Sequence, residues 1–558
     1  MNTDFFHGIE SVLLNDQAPP IRVLKSSVIG IVGTAGKGPV NEPIVLTSST
    51  GVTSRRVVAD LLGEYHSDGF TLPEAIDGIF DQAGATIVAV NVCDPAVHRS
   101  TNTVRTTFGQ TRHAPTPHPH HITTAVFGGG ITVAREVNSN GAYLPPGVTI
   151  DRVSGHTIDG TVDLTDYTDY QVEPSEASVR VNFEDAVLDT YKRVTIEYSV
   201  GGGLEEGRDY FIDQEAGVLS VPVEGSRIAF GSSLEVEYTY VDPTKVTEGD
   251  IIGAVGANDE ATGIFALRTA PAKVELRPRI LIAPRFTQAV TPGQKNPVVD
   301  ELNTAAKTLG ARVVADAPNL DKVTAIEYAS FFSAPDDRVY IHYPDIVVRD
   351  PDGETARDTK TQPASARIAG LIAKNDRTRG WWTSPSNQTI DGVLALSKAL
   401  TTGLSAADTD TNFLNSKGVT TTIIENGFRL WGNRQANMEF LSVHRTADII
   451  AESVVQSHLW AVDRNIGAGL LDQIVEGVKA FLRRLEGLGA IVPNPSPDRD
   501  NDVWADPSLN TPESVADGDL FIDYRFNPAP NAEHITFRAH LTRDYTAELF
   551  RQYAEAGQ

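Results

Sequence analysis

The sequence predicts a multidomain protein of mixed α/β and α+β class: an α/β core, a C-terminal α+β domain, an inserted all-β domain, and extended terminal arms. Three observations lead there. Short continuous apolar runs, Val28-Ile-Gly-Ile-Val-Gly33 and Thr86-Ile-Val-Ala-Val-Asn-Val92, flank a segment with helical spacing, the pattern of buried parallel or mixed strands with a crossover. Residues 122–246 alternate polar and apolar with frequent turn signals, the pattern of half-buried strands. The chain has 558 residues, more than one ordinary core holds.

The first element is an arm, residues 1–24. Its apolar clusters, Phe5, Phe6 and Ile9, then Val12, Leu13 and Leu14, are too short to build a core, and Pro19-Pro20 forbids a continuous helix. Such a segment needs a surface to lie on, either that of another subunit or that of its own domain. The α/β core is expected over 25–96 and 247–380. In its first part, Leu72, Ala75, Ile76, Ile79 and Phe80 fall on one helical face. In its second, Arg279-Ile-Leu-Ile-Ala-Pro284, Ala311-Arg-Val-Val-Ala315 and Val339-Tyr-Ile-His-Tyr343 read as strands, with a helix over 298–309.

The β-rich stretch, 97–246, interrupts this core as a loop insertion, which exposed loops with close ends tolerate. It carries an internal repeat. Asp169-Tyr170-Gln-Val-Glu173 recurs as Asp209-Tyr210-Phe-Ile-Asp213, and Val194-Thr-Ile-Glu-Tyr198 as Leu234-Glu-Val-Glu-Tyr238, both at an offset of 40 residues. Two related β units follow, as one sandwich or as two small modules. The C-terminal domain is expected over 381–540, with a helical tract 446–487 broken near Asn465-Ile-Gly-Ala-Gly469 and strands at 520–526 and 534–541. A short arm, 541–558, closes the chain.

Composition narrows the chemistry. With 47 basic and 73 acidic residues the formal charge is −26, a field that repels phosphate backbones and disfavours nucleic-acid binding. The single cysteine, Cys93, rules out a disulfide within the chain and points to a reducing compartment. The N-terminus lacks a basic n-region and continuous apolar h-region, and no stretch approaches about 20 apolar residues.

Gly30-Ile-Val-Gly-Thr-Ala-Gly36-Lys37-Gly38 follows a strand and invites a phosphate-loop reading. That motif needs a hydroxyl after the lysine for magnesium, where this chain has Gly38 and then Pro39, so a structural glycine-rich turn is expected and no cofactor. His113, His118, His120 and His121 crowd one loop without a nearby carboxylate or cysteine. They are weak metal candidates, and a solvated loop is expected. No G-x-S-x-G elbow is present, and no catalytic constellation stands out. Lys479, Arg483 and Arg484 form a basic cluster on a helix whose Leu482, Leu485 and Leu488 are expected to face the core. It is a solvated face or a docking site for an acidic partner.

Several stretches together resemble phage tail sheath proteins: GFRLWGNR (427–434), ADIIAESVVQSHLWAVDRN (447–465), FIDYRFNPAPNAEHITFRAHLT (521–542), the opening run to 48 with its GPVN turn, and DIIGAVGANDEATGIFAL (250–267). The segment of about 97–246 falls outside the resemblance and suits an outer decoration. The resemblance implies a structural subunit with no catalytic site, stacking with itself as six-fold rings in a helix around an inner tail tube protein. Baseplate and tail terminator proteins are further implied partners, and the place is the contractile tail of a virion assembled in the host bacterial cytoplasm. It also implies that the 381–540 domain faces the tube and that the arms add strands to neighbouring subunits. Phe5, Phe6, Ile9, Val12, Leu14, Leu541 and Tyr545 are then the inter-subunit candidates, and Lys479, Arg483 and Arg484 the tube-contact candidates. A sheath of a phage-tail-like bacteriocin or injector, and a β-rich surface adhesin, remain as alternatives.

Overall fold

The computed structural model describes residues 20–556 except 24, 48–57, 59–60, 64–68, 351–354, 356, 406, 497–501 and short stretches within 108–231. Its framework is an eight-stranded sheet built from β1 (Val28–Gly33), β2 (Ile44–Thr47), β3 (Thr86–Asn91), β4 (Ile280–Ile282), β5 (Arg312–Asp316), β6 (Val339–His342), β7 (Val419–Ile424) and β8 (Phe428–Trp431). The order is β2-β3-β1-β4-β5-β6-β7-β8. From β3 through β7 every neighbour is parallel, and each edge is closed by an antiparallel strand. These six parallel strands follow the doubly wound 2-1-3-4-5 order with a sixth strand added at the end. All six residues of β1 are buried, because helices cover both faces.

On one face lie α1 (Thr71–Gln82) and α4 (Ser365–Thr378), which enclose Ile29, Ile31, Ile76, Ile79, Ile368 and Ile372. On the other lie α2 (Pro297–Leu309), α3 (Lys322–Ser330) and the short helix Gly263–Arg268, around Val32, Val88, Leu281, Leu302 and Phe332. The ends of α2 are set by local chemistry. The Asn296 side chain accepts from Val299 N–H, Pro297 occupies the first turn, and Gly310 takes φ +63° at the C-cap.

The sheet does not stop at the expected 381 boundary. β7 and β8, from the segment read as a separate C-terminal domain, complete it, and the compact unit that holds it spans Arg22–Trp381 and Pro385–Gln456. The apolar run Thr420-Thr-Thr-Ile-Ile has no neighbour in its own stretch except β8, and it satisfies its other edge on β6.

Between β3 and β4 the chain builds two β groups of one plan. Long strand Ser232–Val241 lies between Arg99–Thr107 and Ile122–Phe127, while Phe211–Asp213, Val218–Ser220 and His113–Pro115 form a three-stranded sheet. Long strand Arg193–Val200 lies between Val133–Val137 and Val148–Thr157, while Tyr170–Pro174, Val179–Phe183 and Gly141–Leu144 form a second such sheet. The 40-residue offset maps hairpin onto hairpin and long strand onto long strand, and the second group sits in the chain between strands of the first. Repeated tyrosines occupy matching interiors: Tyr170 and Tyr210 are buried, as are Tyr198 and Tyr238. Where this stretch leaves and rejoins the core, Asp242 N–H donates to His98 C=O and Ser100 Oγ–H to the Asp242 carboxylate, so the two ends are fastened together.

The second compact unit includes residues 457–556 of the described chain. Its frame is α6 (Ala468–Gly487), which buries Ile474, Val478, Phe481, Leu482 and Leu485. α5 (Leu441–Ser457) precedes it, and the break expected near 465–469 falls at 458–467. Leu488, expected in the core, is 48% exposed because the helix ends just before it. The strand expected over 520–526 is reduced to Asp523–Tyr524 paired with Val503–Trp504. The strand expected over 534–541 has no ladder partner among the described residues. The last helix, α7, spans Asp544–Ala556.

Candidate interaction surfaces

The glycine-rich turn after β1 uses its own amides. Thr34 N–H donates to Thr71 Oγ1 at 2.9 Å, and Ala35 N–H to Asn91 Oδ1 at 2.8 Å. Thr71 N–H, at the start of α1, donates back to Thr34 Oγ1 at 3.0 Å. A Cβ on Gly33 would lie 2.3 Å from Thr71 Oγ1, so glycine is needed for close approach of turn and helix. At the point where the sheet order reverses, the Arg285 guanidinium forks onto buried Glu74 at 2.8 and 3.1 Å. The Thr34 and Ala35 amides of the turn, and the Arg285 and Glu74 side chains at the crevice, are thus engaged in the protein's own bonds.

Among the described residues no group of three or more His, Cys, Asp or Glu gathers to hold a metal. His113 lies in the strand His113–Pro115, opposite Ser220, and His118, His120 and His121 lie outside the described residues. Cys93 is buried, and burial with Asp242, Asp94 and Asp250 nearby pushes its thiol up to about 12, far from a reactive thiolate.

Arginines at the starts of the parallel strands anchor α5. Arg312 reaches Asp448 at 2.5 Å and Arg338 reaches the same carboxylate at 2.8 Å. One turn on, Glu452 faces Arg277 at 3.3 Å and Arg279 at 3.6 Å. Burial pulls the Arg312 guanidinium down to about 10. A fully buried pair, Arg445 and Asp376, closes at 2.6 Å, and Arg445 also donates to Ser26 C=O at 3.2 Å. The chain is therefore pinned at Ser26, just after the expected N-terminal arm. Phe5, Phe6, Ile9, Val12 and Leu14 lie outside the described residues.

In the basic cluster, Lys479 is largely covered and pairs with Glu476 at 3.0 Å, whereas Arg483 and Arg484 are exposed. The C-terminal stretch is the most exposed apolar part of the described chain. Ile535 is 65% exposed, Phe537 91% and Leu541 fully, alternating with His534, Thr536, Arg538, His540 and Thr542. That is the period-2 pattern of a half-buried strand on a segment with no regular secondary structure and no ladder partner among the described residues. Tyr545 follows at 80% exposure on α7. Sequence reading singled out Leu541 and Tyr545 but not Phe537, Phe550 or Tyr553, although the alternation and the helical spacing were there to find them.

Family models match two adjoining stretches, the phage tail sheath protein central domain at residues 259–436 and the phage tail sheath C-terminal domain at 434–542. The tail sheath protein of Burkholderia phage BcepMu is 31% identical over 566 residues, covering 98% of this chain and 99% of that one. The tail sheath protein of Escherichia phage P2 is 32% identical, covering 54% of this chain and 73% of its own length. Among solved structures, the helical sheath of the anti-feeding prophage in its contracted state aligns over 98% of this chain and all of that one, with 13% identity and a TM-score of 0.48.

Proposed function

The chain belongs to the phage tail sheath protein family, a family of structural particle components, and from that premise we propose that it is the polymerising subunit of a contractile tail. Copies stack as six-fold rings in a helix around an inner tube, and contraction of the stack drives the tube through the host envelope. The observation that carries this reading is the segment 534–541, which has no regular secondary structure, leaves Ile535, Phe537 and Leu541 in solvent, and alternates in sequence as a strand does. Such a segment is an offer to a second copy. Strand addition supplies main-chain hydrogen bonds for affinity and alternate side chains for register. At about 0.5–1.5 kcal/mol per net bond, half a dozen bonds contribute several kcal/mol.

The N-terminal arm, with Phe5, Phe6, Ile9, Val12 and Leu14, is the second linker, and Ser26, clamped by Arg445, is the fixed point from which it extends. Two linkers per copy let rings slide past one another and stay joined. Contraction needs two packings of one subunit, the extended one kinetically trapped, and no nucleotide. The exposed end of α6, with Arg483 and Arg484 beside the covered Lys479, is the tube contact; exposed charge pairs are weak and screened, which suits a surface that must release. Baseplate and tail terminator proteins cap the stack, and the β groups of 97–246 decorate its outside.

The test is electron microscopy of the purified chain beside an Ile535→Asp/Phe537→Asp variant. The native chain is expected to form rings or tubes. The variant, altered only at exposed positions, is expected to keep its melting temperature and remain monomeric at a concentration at least about tenfold higher. Tubes from the variant at the native threshold would remove segment 534–541 from the interface.

A further inference from the structure

The chain enters its core through a stretch that belongs to no strand or helix. The described residues between 20 and 27 have no regular secondary structure, and β1 begins only at Val28. Arg22 and Lys25 are exposed along it, whereas Ile21 and Ser26 are buried. At Ser26 the main-chain carbonyl accepts from Arg445 Nη2 at 3.2 Å. The same guanidinium forks onto the two oxygens of Asp376 at 2.7 and 2.6 Å, and the two side chains are only 4% and 2% exposed.

Arg445 stands on α5 and Asp376 on α4, so one buried side chain joins the root of the N-terminal arm to two helices distant from it in sequence. α5 is in turn fastened to the strand starts, where Arg312 and Arg338 share Asp448 and Arg277 and Arg279 share Glu452. A buried ion pair adds little net stability, because desolvation offsets the attraction between its charges. What the Arg445 fork supplies is a fixed geometry: planar donors that meet a carboxylate and a carbonyl at once.

We propose that Arg445 is a positioning residue for self-assembly, which holds the root of the N-terminal arm on α5 and so fixes the working length of that arm between copies. With the clamp closed, a pull along the arm is delivered at Ser26 to α5 and, through Asp448 and Glu452, to the sheet. With it open, residues 22–27 can straighten. Six residues at about 3.3–3.6 Å each let out up to about 20 Å of chain. Slack of that size exceeds the ~10–12 Å width of a helix, and it lets one copy move without moving the next. This rests on the self-assembly reading and deepens it, by naming what sets the reach of one linker.

Limited trypsin digestion of the full chain tests the clamp. No Lys or Arg precedes Arg22, so cuts after Arg22 and Lys25 release short N-terminal peptides that mass spectrometry identifies. Arg445→Met alone would strand a buried carboxylate, so it is combined with Asp376→Leu. Apolar replacement of both partners spares the fold and takes the donor from the Ser26 carbonyl. This double variant is expected to melt within a few degrees of the native chain. It is expected to be cut after Lys25 at least about tenfold faster, the factor one charge-assisted hydrogen bond carries, with its other sites unchanged. Arg445→Lys keeps a charge for Asp376 but lacks the planar fork, and is expected to show the same selective cut. Native-like cleavage after Lys25 in both variants would overturn the proposal. So would faster cleavage throughout with a lower melting temperature in both, which is what a merely structural pair gives. Electron microscopy of tubes is expected to show a wider spread of ring spacings in the variants, and a spread as narrow as the native one would also overturn it. A native chain that forms no tubes would sink the self-assembly reading, while the cleavage rates would still decide whether Arg445 holds the arm.

Discussion

At the scale of single residues, the least ordinary group is Asp316, at the end of β5. It is 1% exposed. One carboxylate oxygen accepts from Ser365 N–H at 2.8 Å, at the start of α4, and the other has no partner. Burial, with Asp345 close by, pushes its carboxyl up to about 7. The unfolded value is about 3.9, so between the two the folded state keeps a proton that the unfolded state has lost. Stability from this group is complete below the unfolded value and lost as pH rises through about 7. Asp316→Asn keeps the acceptor for Ser365 and cannot ionise. It is expected to raise the melting temperature at about pH 8.5 and change it little at about pH 5. Thermal melts across that range check this; equal effects at both ends would show that Asp316 is not the titrating group. The patterns used to read the sequence could not find it. Val-Val-Ala-Asp reads as a strand with a polar end, and only the arrival of α4 above it makes the site dry.

At the scale of elements, α1 and α4 show how close packing constrains a helix pair. Gly370 faces the last turns of α1, and a Cβ there would lie 2.7 Å from Ile79 C=O, nearer than real side chains approach. The obstacle is backbone, so the helices must separate. Gly370→Ala is expected to destabilise the chain by about 1–3 kcal/mol, although alanine favours an isolated helix over glycine by up to about 1 kcal/mol. Urea unfolding gives the sign, and a stabilised variant would mean that the pair gives way at little cost. Legibility in the sequence divides along the same line. The buried strands Val28–Gly33 and Thr86–Asn91 and the helix 298–309 were readable because periodicity and caps are local. The β7–β8 segment, expected within a separate C-terminal domain, completes the core sheet instead, because strand partners depend on the whole sheet. Alternation predicted a strand at 534–541, yet the segment has no regular secondary structure and no ladder partner among the described residues. The 40-residue offset revealed a repeat, but not that one β group sits inside the other in chain order. Of the proposed surfaces, the basic cluster and the arm were visible as composition.

At the scale of the whole molecule, charge sets two opposing dependences on salt. Each copy carries −26, and stacking copies concentrates that charge, so self-repulsion opposes assembly most strongly when screening is weak. The contacts proposed to overcome it, strand addition by segment 534–541 and by the N-terminal arm, are backbone hydrogen bonds and apolar burial, which salt hardly weakens. The tube contact proposed at Arg484 is an exposed charge pair, which salt does weaken. Raising ionic strength from about 0.01 M to 0.1 M shortens the screening length from about 30 Å to 10 Å. Over that span, light scattering is expected to show self-assembly beginning at lower protein concentration. Co-sedimentation with isolated tube over the same span is expected to show attachment loosening, and Arg484→Glu to loosen it further without added salt. If self-assembly instead fell with salt, the copies would be held chiefly by ion pairs. The apolar arms would then not be what joins them.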